Sequence, residues 1–322
     1  GLVNMLLEAK RPEEALEHLR VLRAGRDSAA LAAAHAAALE QMGDFAGASA
    51  VFAEALPRLG APHGMGVAYA QHLIRVGRPD EAVRYALLDT EHDREDQQAW
   101  STLSIAWRLT EDPREHWLCD YERLVLSGEI PPPEGYADLS AFIEALSATL
   151  TQLHTAQHEP INQSLRGGTQ TSGGLFGRKH EVITAARDAL HACVRRLIAT
   201  LPQDPNHPFL SRNSGDVRFT GSWSVRLKSA GKHVNHFHPK GWLSSAFYVS
   251  LPPSVAGDEA GHSGWIQFGQ PPEDLGVELS PRRVVRPEVG KLVLFPSYMW
   301  HGTVPFHDSA PRMTIAFDAA PK

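Results

Sequence analysis

An alanine returns at a nearly constant step through the first third of this chain. Ala15, Ala48 and Ala82 recur in the runs Arg11-Pro12-Glu13-Glu14-Ala15, Asp44-Phe45-Ala46-Gly47-Ala48 and Arg78-Pro79-Asp80-Glu81-Ala82. Asp112-Pro113 restarts the pattern one step further on, in register with Arg78-Pro79. Such a period means one small supersecondary unit used repeatedly, each unable to bury its apolar face alone and therefore stacked on the next. Apolar residues in this region recur at three and four, as amphipathic helices require. Gly43-Asp44 and Gly77-Arg78 read as turns ahead of helix starts, and proline in a first turn forgoes only an N–H that has no partner within the helix. A small alanine at a constant offset lets two helices approach. A repeat stack and a plain helical bundle both satisfy the pattern.

The chain has 322 residues, more than one average domain, and its texture changes after the repeats. Three prolines and flanking glycines in Ser127–Gly135 stop any helix. Helices are expected over Ala137–Leu153 and His180–Thr200, the second ended by Pro202. Beyond residue 205, strand-like alternation appears in Ser222–Leu227, Trp242–Leu251, Gly264–Phe268, Lys291–Phe295 and Met313–Phe317, separated by Gly- and Pro-rich turns. Many short strands so punctuated indicate a sandwich or barrel. The expected organisation is an α+β chain: helical repeats over 1–126, a Pro-rich linker and connecting helix over 127–159, and a β-domain with supporting helices over 160–322. The balance of 31 basic and 37 acidic residues, net −6, carries no nucleic-acid or membrane-surface footprint. No apolar run approaches the length of a membrane span, and Gly-Leu-Val-Asn-Met has no signal-peptide layout. Two cysteines, Cys119 and Cys193, make no disulfide framework, which points to a reducing, cytoplasmic setting.

Among 17 histidines, the question is which few converge. His236 and His238 in His-Phe-His-Pro point the same way if the segment is extended, with Phe237 turned away. Imidazole suits iron, zinc, copper and nickel. His301 lies far along the chain from His238, behind the strand Lys291–Phe295 and a turn at Pro296, and a folded sheet can return it to the same point. Three such ligands close one face of an octahedron and leave positions open. The alternative is a set of unrelated histidines in a His-rich chain. His233 has the wrong parity relative to His236, and His262 and His307 read as loop residues. Arg312, a short loop beyond His301, and Thr314 face one side of the next strand and together offer a fork of N–H donors and a hydroxyl to a carboxylate. Arg312 is either a surface arginine on an edge strand or, among the apolar residues of Pro311–Phe317, an inward cation that needs an anion. The far carboxylate of 2-oxoglutarate would serve.

The period and turns of the first region resemble tetratricopeptide repeats, without the full consensus. The C-terminal region resembles the iron(II)- and 2-oxoglutarate-dependent oxygenases with a double-stranded β-helix core (jelly-roll or cupin-like), and within them the oxygenase domains found behind tetratricopeptide repeats in bacterial proteins. The runs that carry this are Ser164–Thr171, Gly221–Val225, Asn235-His236-Phe237-His238-Pro239, Gly241–Ser245, Leu294–Ser297, His301 and Arg312-Met313-Thr314. The resemblance implies Fe(II) held by His236 and His301 and 2-oxoglutarate clamped by Arg312 and Thr314. It implies a carboxylate where this chain has His238. Either His238 is a third ligand, or it stands behind a two-histidine site completed by water. Its bulk argues against halogenation, which needs room for a halide. Tyr248 and Ser222 are further donors to 2-oxoglutarate or else core residues. Gln163, Arg166 and Gln170 line the substrate mouth or belong to a capping loop.

The expected function is a 2-oxoglutarate-dependent dioxygenase that hydroxylates a peptide or protein side chain presented with the help of the repeats. Two other classes stay open on the sequence: a three-histidine metal dioxygenase that does not use 2-oxoglutarate, and a non-catalytic adaptor built on the repeats. Nucleic acid and membrane are not expected partners.

Overall fold

The structure is a computed structural model that describes residues 1–25, 28–59, 64–155, 164–257 and 261–322. The chain is α+β and divides into two compact units, residues 1–115 with 274–277, and residues 116–273 with 278–322.

Unit 1 is helical: α1 (Leu2–Glu8), α2 (Pro12–Gly25), α3 (Ala29–Gln41), α4 (Phe45–Leu59), α5 (Met65–Arg75), α6 (Pro79–His92) and α7 (Gln97–Leu109). The sequence period is written into the backbone at the helix ends. Lys10, Gly43, Gly77 and Glu111 all adopt left-handed φ, at 56, 82, 74 and 55°. After each, an amide reaches back to the preceding helix: Arg11 donates to the Leu6 carbonyl, Asp44 to Leu39, Arg78 to Leu73 and Asp112 to Trp107, at 2.8–2.9 Å. This is the Schellman helix end, in which a left-handed residue turns the chain and satisfies carbonyls that the helix leaves orphaned. The next helices then start at Pro12, Phe45 and Pro79. Ala15, Ala48 and Ala82, one turn further on, are completely buried, so the repeated alanine is a packing position.

Unit 2 begins with the short helices α8 (Arg114–Leu118, which straddles the division) and α9 (Tyr121–Leu124) and the strand β1 (Leu126–Glu129). It continues through α10 (Leu139–Leu153), β2 (Leu165–Gln170), α11 (Glu181–Ile198), β3 (Val217–His233), β4 (Leu243–Ser250) and α12 (Pro253–Ala256). The chain ends in β5 (Ile266–Phe268), β6 (Arg283–Val285), β7 (Lys291–Pro296), β8 (His301–Thr303) and β9 (Arg312–Pro321). Two antiparallel sheets result, of order β1-β7-β4-β9-β3-β2 and β6-β5-β8. Leu126–Glu129 therefore belongs to the large sheet, paired with Leu294–Lys291, and the expected linker starts inside a strand. Leu-Ser-Gly-Glu has little strand propensity of its own, and pairing along β7 supplies the hydrogen bonds. Among the described residues no helix is long and apolar enough to cross a membrane.

Register decides what each face of the large sheet carries, because directly paired residues share a face. Phe219 packs on His191 of α11, and Phe317 packs on Phe219 and Phe176. Ser222 pairs with Phe317 and Phe247 with Ile315, so all of these look toward the helix side. The other face carries Trp223, Val225 and Leu227 of β3, Arg312, Thr314 and Asp318 of β9, and Tyr248 and Ser244 of β4. Phe295 shares that inner face through its pairing with Ser244 and meets Phe268 of the small sheet at 5.0 Å, which places the small sheet over it.

Two outcomes test this account. Gly43→Ala and Gly77→Ala should each cost about 1 kcal/mol, since a Cβ is strained at positive φ even where nothing is in its way, while Glu111→Gly at the equivalent position should gain about 0.5 kcal/mol; urea midpoints followed by far-ultraviolet circular dichroism measure both. His154 caps α10, with Nδ1 2.8 Å from Thr169 Oγ1 and Nε2 3.0 Å from Ser224 Oγ. Burial, helped by the Arg226 charge, lowers its pKa to about 4 from the ordinary 6.5. Between those values the unfolded chain binds the proton and the folded chain does not, so stability is lost as pH falls from 6.5 toward 4. His154→Gln should show a shallower loss over that window in denaturation midpoints taken against pH.

Candidate metal centre

The centre starts from one pair of residues. The segment after β3 is extended without being a regular strand, and it touches the mouth of β8 in a single antiparallel bridge, His236 with His301. The two residues exchange both backbone hydrogen bonds, each 2.9 Å. A directly opposed pair projects its side chains to one face, and the two rings lie 4.2 Å apart between centroids. His238 follows on the same side, its amide donating to the Ser297 carbonyl at 2.8 Å, while Phe237 turns away onto Trp300.

The hydrogen bonds of the three rings assign their tautomers. His236 Nδ1 lies 2.8 Å from the Val234 carbonyl, His301 Nδ1 2.9 Å from the Met299 carbonyl, and His238 Nδ1 2.7 Å from Asp318 Oδ1. Carbonyls and carboxylates only accept, so each Nδ1 carries a hydrogen, and in a neutral ring Nε2 then presents the lone pair. His236 Nε2 and His238 Nε2 stand 3.2 Å apart, and one ring nitrogen from each of the three histidines falls within 4.8 Å of the others. Facing lone pairs repel unless a proton or a cation lies between them. Burial first, and then the neighbouring His238, hold the His236 pKa down at about 3, and burial holds His301 well below its usual value. Both rings are thus neutral through the physiological range, and a cation is the occupant that the donors suit. Engagement of Nδ1 by a carbonyl or carboxylate is how proteins orient imidazole toward metal.

Beyond the histidines, Arg312 is buried to 2% exposure and its guanidinium carbon lies 5.1 Å from the centre of the Tyr248 ring. Among the described residues neither Arg312 Nε nor the Tyr248 hydroxyl has a hydrogen-bond partner. Thr314 is buried beside them on the same face, directly paired with Tyr248. A buried guanidinium without a countercharge is costly, and this group of donors fits a carboxylate. Burial raises the Tyr248 pKa, so its hydroxyl remains a donor through neutral pH.

Several expected residues land elsewhere. Ser222 is on the helix-side face, where its hydroxyl accepts from the Phe176 amide at 2.9 Å, so the structure does not bring it to the carboxylate donors. Of its two expected roles, that of a core residue is the one this face fits. Gln170 shares the inner face with Val225, whereas Arg166 is exposed and donates to the Leu165 carbonyl. Gln163 lies outside the described residues. Parity set His233 aside, yet its ring stacks 5.7 Å from His236, and Ser164 Oγ lies 2.9 Å from His233 Nδ1 and 3.2 Å from His236 Nε2. Trp223, stacked 5.9 Å from His238, and Asp318 also escaped the sequence reading. For Asp318 the signal was present: positions 312, 314 and 318 have one parity on one strand.

Residues 221–318 match the family model described as "Putative 2OG-Fe(II) oxygenase". No curated protein matches the chain. Solved structures with similarity include a Pseudomonas putida prolyl-4-hydroxylase, at 15% identity over 64% of this chain and 98% of that one, TM-score 0.40. HygX from Streptomyces hygroscopicus, with nickel, 2-oxoglutarate and hygromycin B bound, is similar at 13% identity over 64% and 86%, TM-score 0.41. YrrB, a TPR protein with an unusual peptide-binding site, is similar at 18% identity over 35% and 59%, TM-score 0.30. The family match gives residues 221–318 a 2OG-Fe(II) oxygenase domain, and its three-histidine group could hold the iron(II) that such a domain uses with 2-oxoglutarate.

Proposed function

We propose that this domain hydroxylates a peptide or protein side chain, with His236, His238 and His301 as the iron ligands and Arg312, Thr314 and Tyr248 as the clamp for the far carboxylate of 2-oxoglutarate. The observation that carries the assignment is one ring nitrogen from each of three histidines in one group, in a domain whose inner face also buries an arginine with an unpartnered Nε. Iron(II) with 2-oxoglutarate supplies oxygen-dependent decarboxylation to succinate coupled to oxidation of a substrate C–H bond. The protein's part is to hold and to exclude. Arg312 and the two hydroxyls orient the co-substrate, and Phe295 and Phe268 pack within 4.4 and 6.4 Å of His301, keeping water from its flank. His238 reads as a ligand because it is held from several sides, by the Trp223 face, by Asp318 and by its own amide, and a spectator ring has no need of that fixation.

The macromolecular substrate is supported by unit 1. Its recurring helix ends and buried alanines suit a tetratricopeptide-like solenoid, and solenoids of that kind bind peptides on a concave surface. We read unit 2 as a double-stranded β-helix on the strength of its two antiparallel sheets with the candidate centre on the inner face. Cys119 and Cys193 are buried and unbridged, which favours a reducing, cytoplasmic setting.

Anaerobic titration of the iron-loaded chain with 2-oxoglutarate should produce a metal-to-ligand charge-transfer band. His301→Ala should abolish the band with iron binding, and Arg312→Ala should leave iron bound while weakening 2-oxoglutarate by about 2–5 kcal/mol. Unchanged co-substrate affinity in the arginine variant would overturn the clamp assignment. Succinate release stimulated by a peptide, and by no small molecule in a matched panel, checks the substrate class by mass spectrometry of the peptide.

A further inference from the structure

The negative charge that a His–X–Asp or His–X–Glu pair would place on the metal is not lost from this site. Asp318 stands directly behind His238, with Oδ1 2.7 Å from Nδ1. Asp318 is itself held: Ser244 Oγ donates to Oδ1 at 2.8 Å, and Ser244 Oγ lies 2.8 Å from Ser297 Oγ, both serines being fully buried. Gly241 leaves the space for this chain, since a Cβ there would run into Ser297 Oγ. The Ser297 carbonyl takes the His238 amide, so the same turn that holds the carboxylate's support also holds the imidazole's backbone. Trp223 lies nearly parallel to the His238 ring, at 14°, and closes one of its faces.

We propose that Asp318 is the positioning residue of the metal centre: through His238 it fixes the Nε2-donor tautomer and transmits carboxylate charge to the metal from one residue further out. This rests on the reading of the three histidines as iron ligands. A carboxylate that accepts from Nδ1–H draws the hydrogen toward itself and makes Nε2 a stronger donor. An imidazole so polarised compensates in part for the missing anionic ligand. The register makes the arrangement specific. Asp318 pairs with Ser244 across β9 and β4 and shares its face with Arg312 and Thr314, so one strand carries the outer carboxylate at one end and the 2-oxoglutarate donors at the other.

The test compares Fe(II) affinity, by anaerobic competition with a chelator, and the energy of the charge-transfer band with 2-oxoglutarate in the full chain. Asp318→Asn keeps shape and an acceptor for Nδ1–H and removes only charge. We expect it to bind Fe(II) roughly 10- to 100-fold more weakly, on the order that outer partners of ligating histidines contribute, and to move the band to higher energy. Asp318→Glu should recover part of both. Ser244→Ala, which leaves the carboxylate in place and removes its support, should give a smaller loss in the same direction, and it carries the test if the asparagine variant does not fold by circular dichroism without metal. A folded Asp318→Asn that matches wild type in affinity and band position overturns the proposal, as does an unaltered Ser244→Ala where the asparagine variant is unfolded. If His236→Ala also binds as wild type does, the three-histidine reading itself falls. If His236→Ala loses iron and the Asp318 and Ser244 variants do not, only the role of Asp318 falls.

Discussion

Two backbone hydrogen bonds between His236 and His301 hold the centre together. They join an irregular segment after β3 to the first residue of β8, two places far apart in sequence, and so tie the large sheet's longest strand to the small sheet. Everything chemical about the site follows from that closure. The bridge opposes two imidazoles on one face, His238 joins them by alternation, and Val234, Met299 and Asp318 take up the three Nδ1 hydrogens. Without the bridge the histidines would be solvated side chains with free choice of tautomer. With it the His236 and His301 rings are held neutral, and one ring nitrogen from each of the three histidines already lies within 4.8 Å of the others.

The second constraint is the burial of charge. Arg312 sits inside the β-domain with an unpartnered Nε, and desolvation lowers its pKa without displacing it from the cationic form at any ordinary pH. Such a cation is costly to bury without an anion, and Tyr248 and Thr314 share its face of the sheet. Neutral imidazoles on one side and a buried guanidinium on another make a site that is short of negative charge. On the proposed reading a dicarboxylate co-substrate meets the Arg312 end of β9, and the carboxylate of Asp318 stands beside His238 at the other.

Much of the helical unit was legible because its constraint is local. The alanine period marks packing positions, and Pro12, Phe45 and Pro79 do open helices, as the turns ahead of them indicated. Lys10 and Glu111 were less visible. Their left-handed backbone repeats that of Gly43 and Gly77, but nothing in a lysine or a glutamate advertises positive φ. In the β-domain the strands were found and their faces were not always: Ser222 and Tyr248 both lie on strands that reach the site, and only Tyr248 points to it. Alternation says which residues share a face and leaves open which face meets the core when both are covered, as they are here by helices on one side and the small sheet on the other.

What the sequence determined by itself was the set of parts: helical repeats followed by a β-domain, a histidine pair with one residue between, a distant histidine, and an arginine closely followed by a threonine on one strand. These are periodicities and residue chemistries, and they survive without coordinates. Only tertiary structure decided which lone pairs face one another, that His238 has a carboxylate behind it, and that Ser222 belongs to the helix side while His233 and Ser164 belong to the site. Those are matters of register and of backbone bridges between distant segments, and a slip of one position in pairing would exchange every one of them while leaving the sequence pattern untouched.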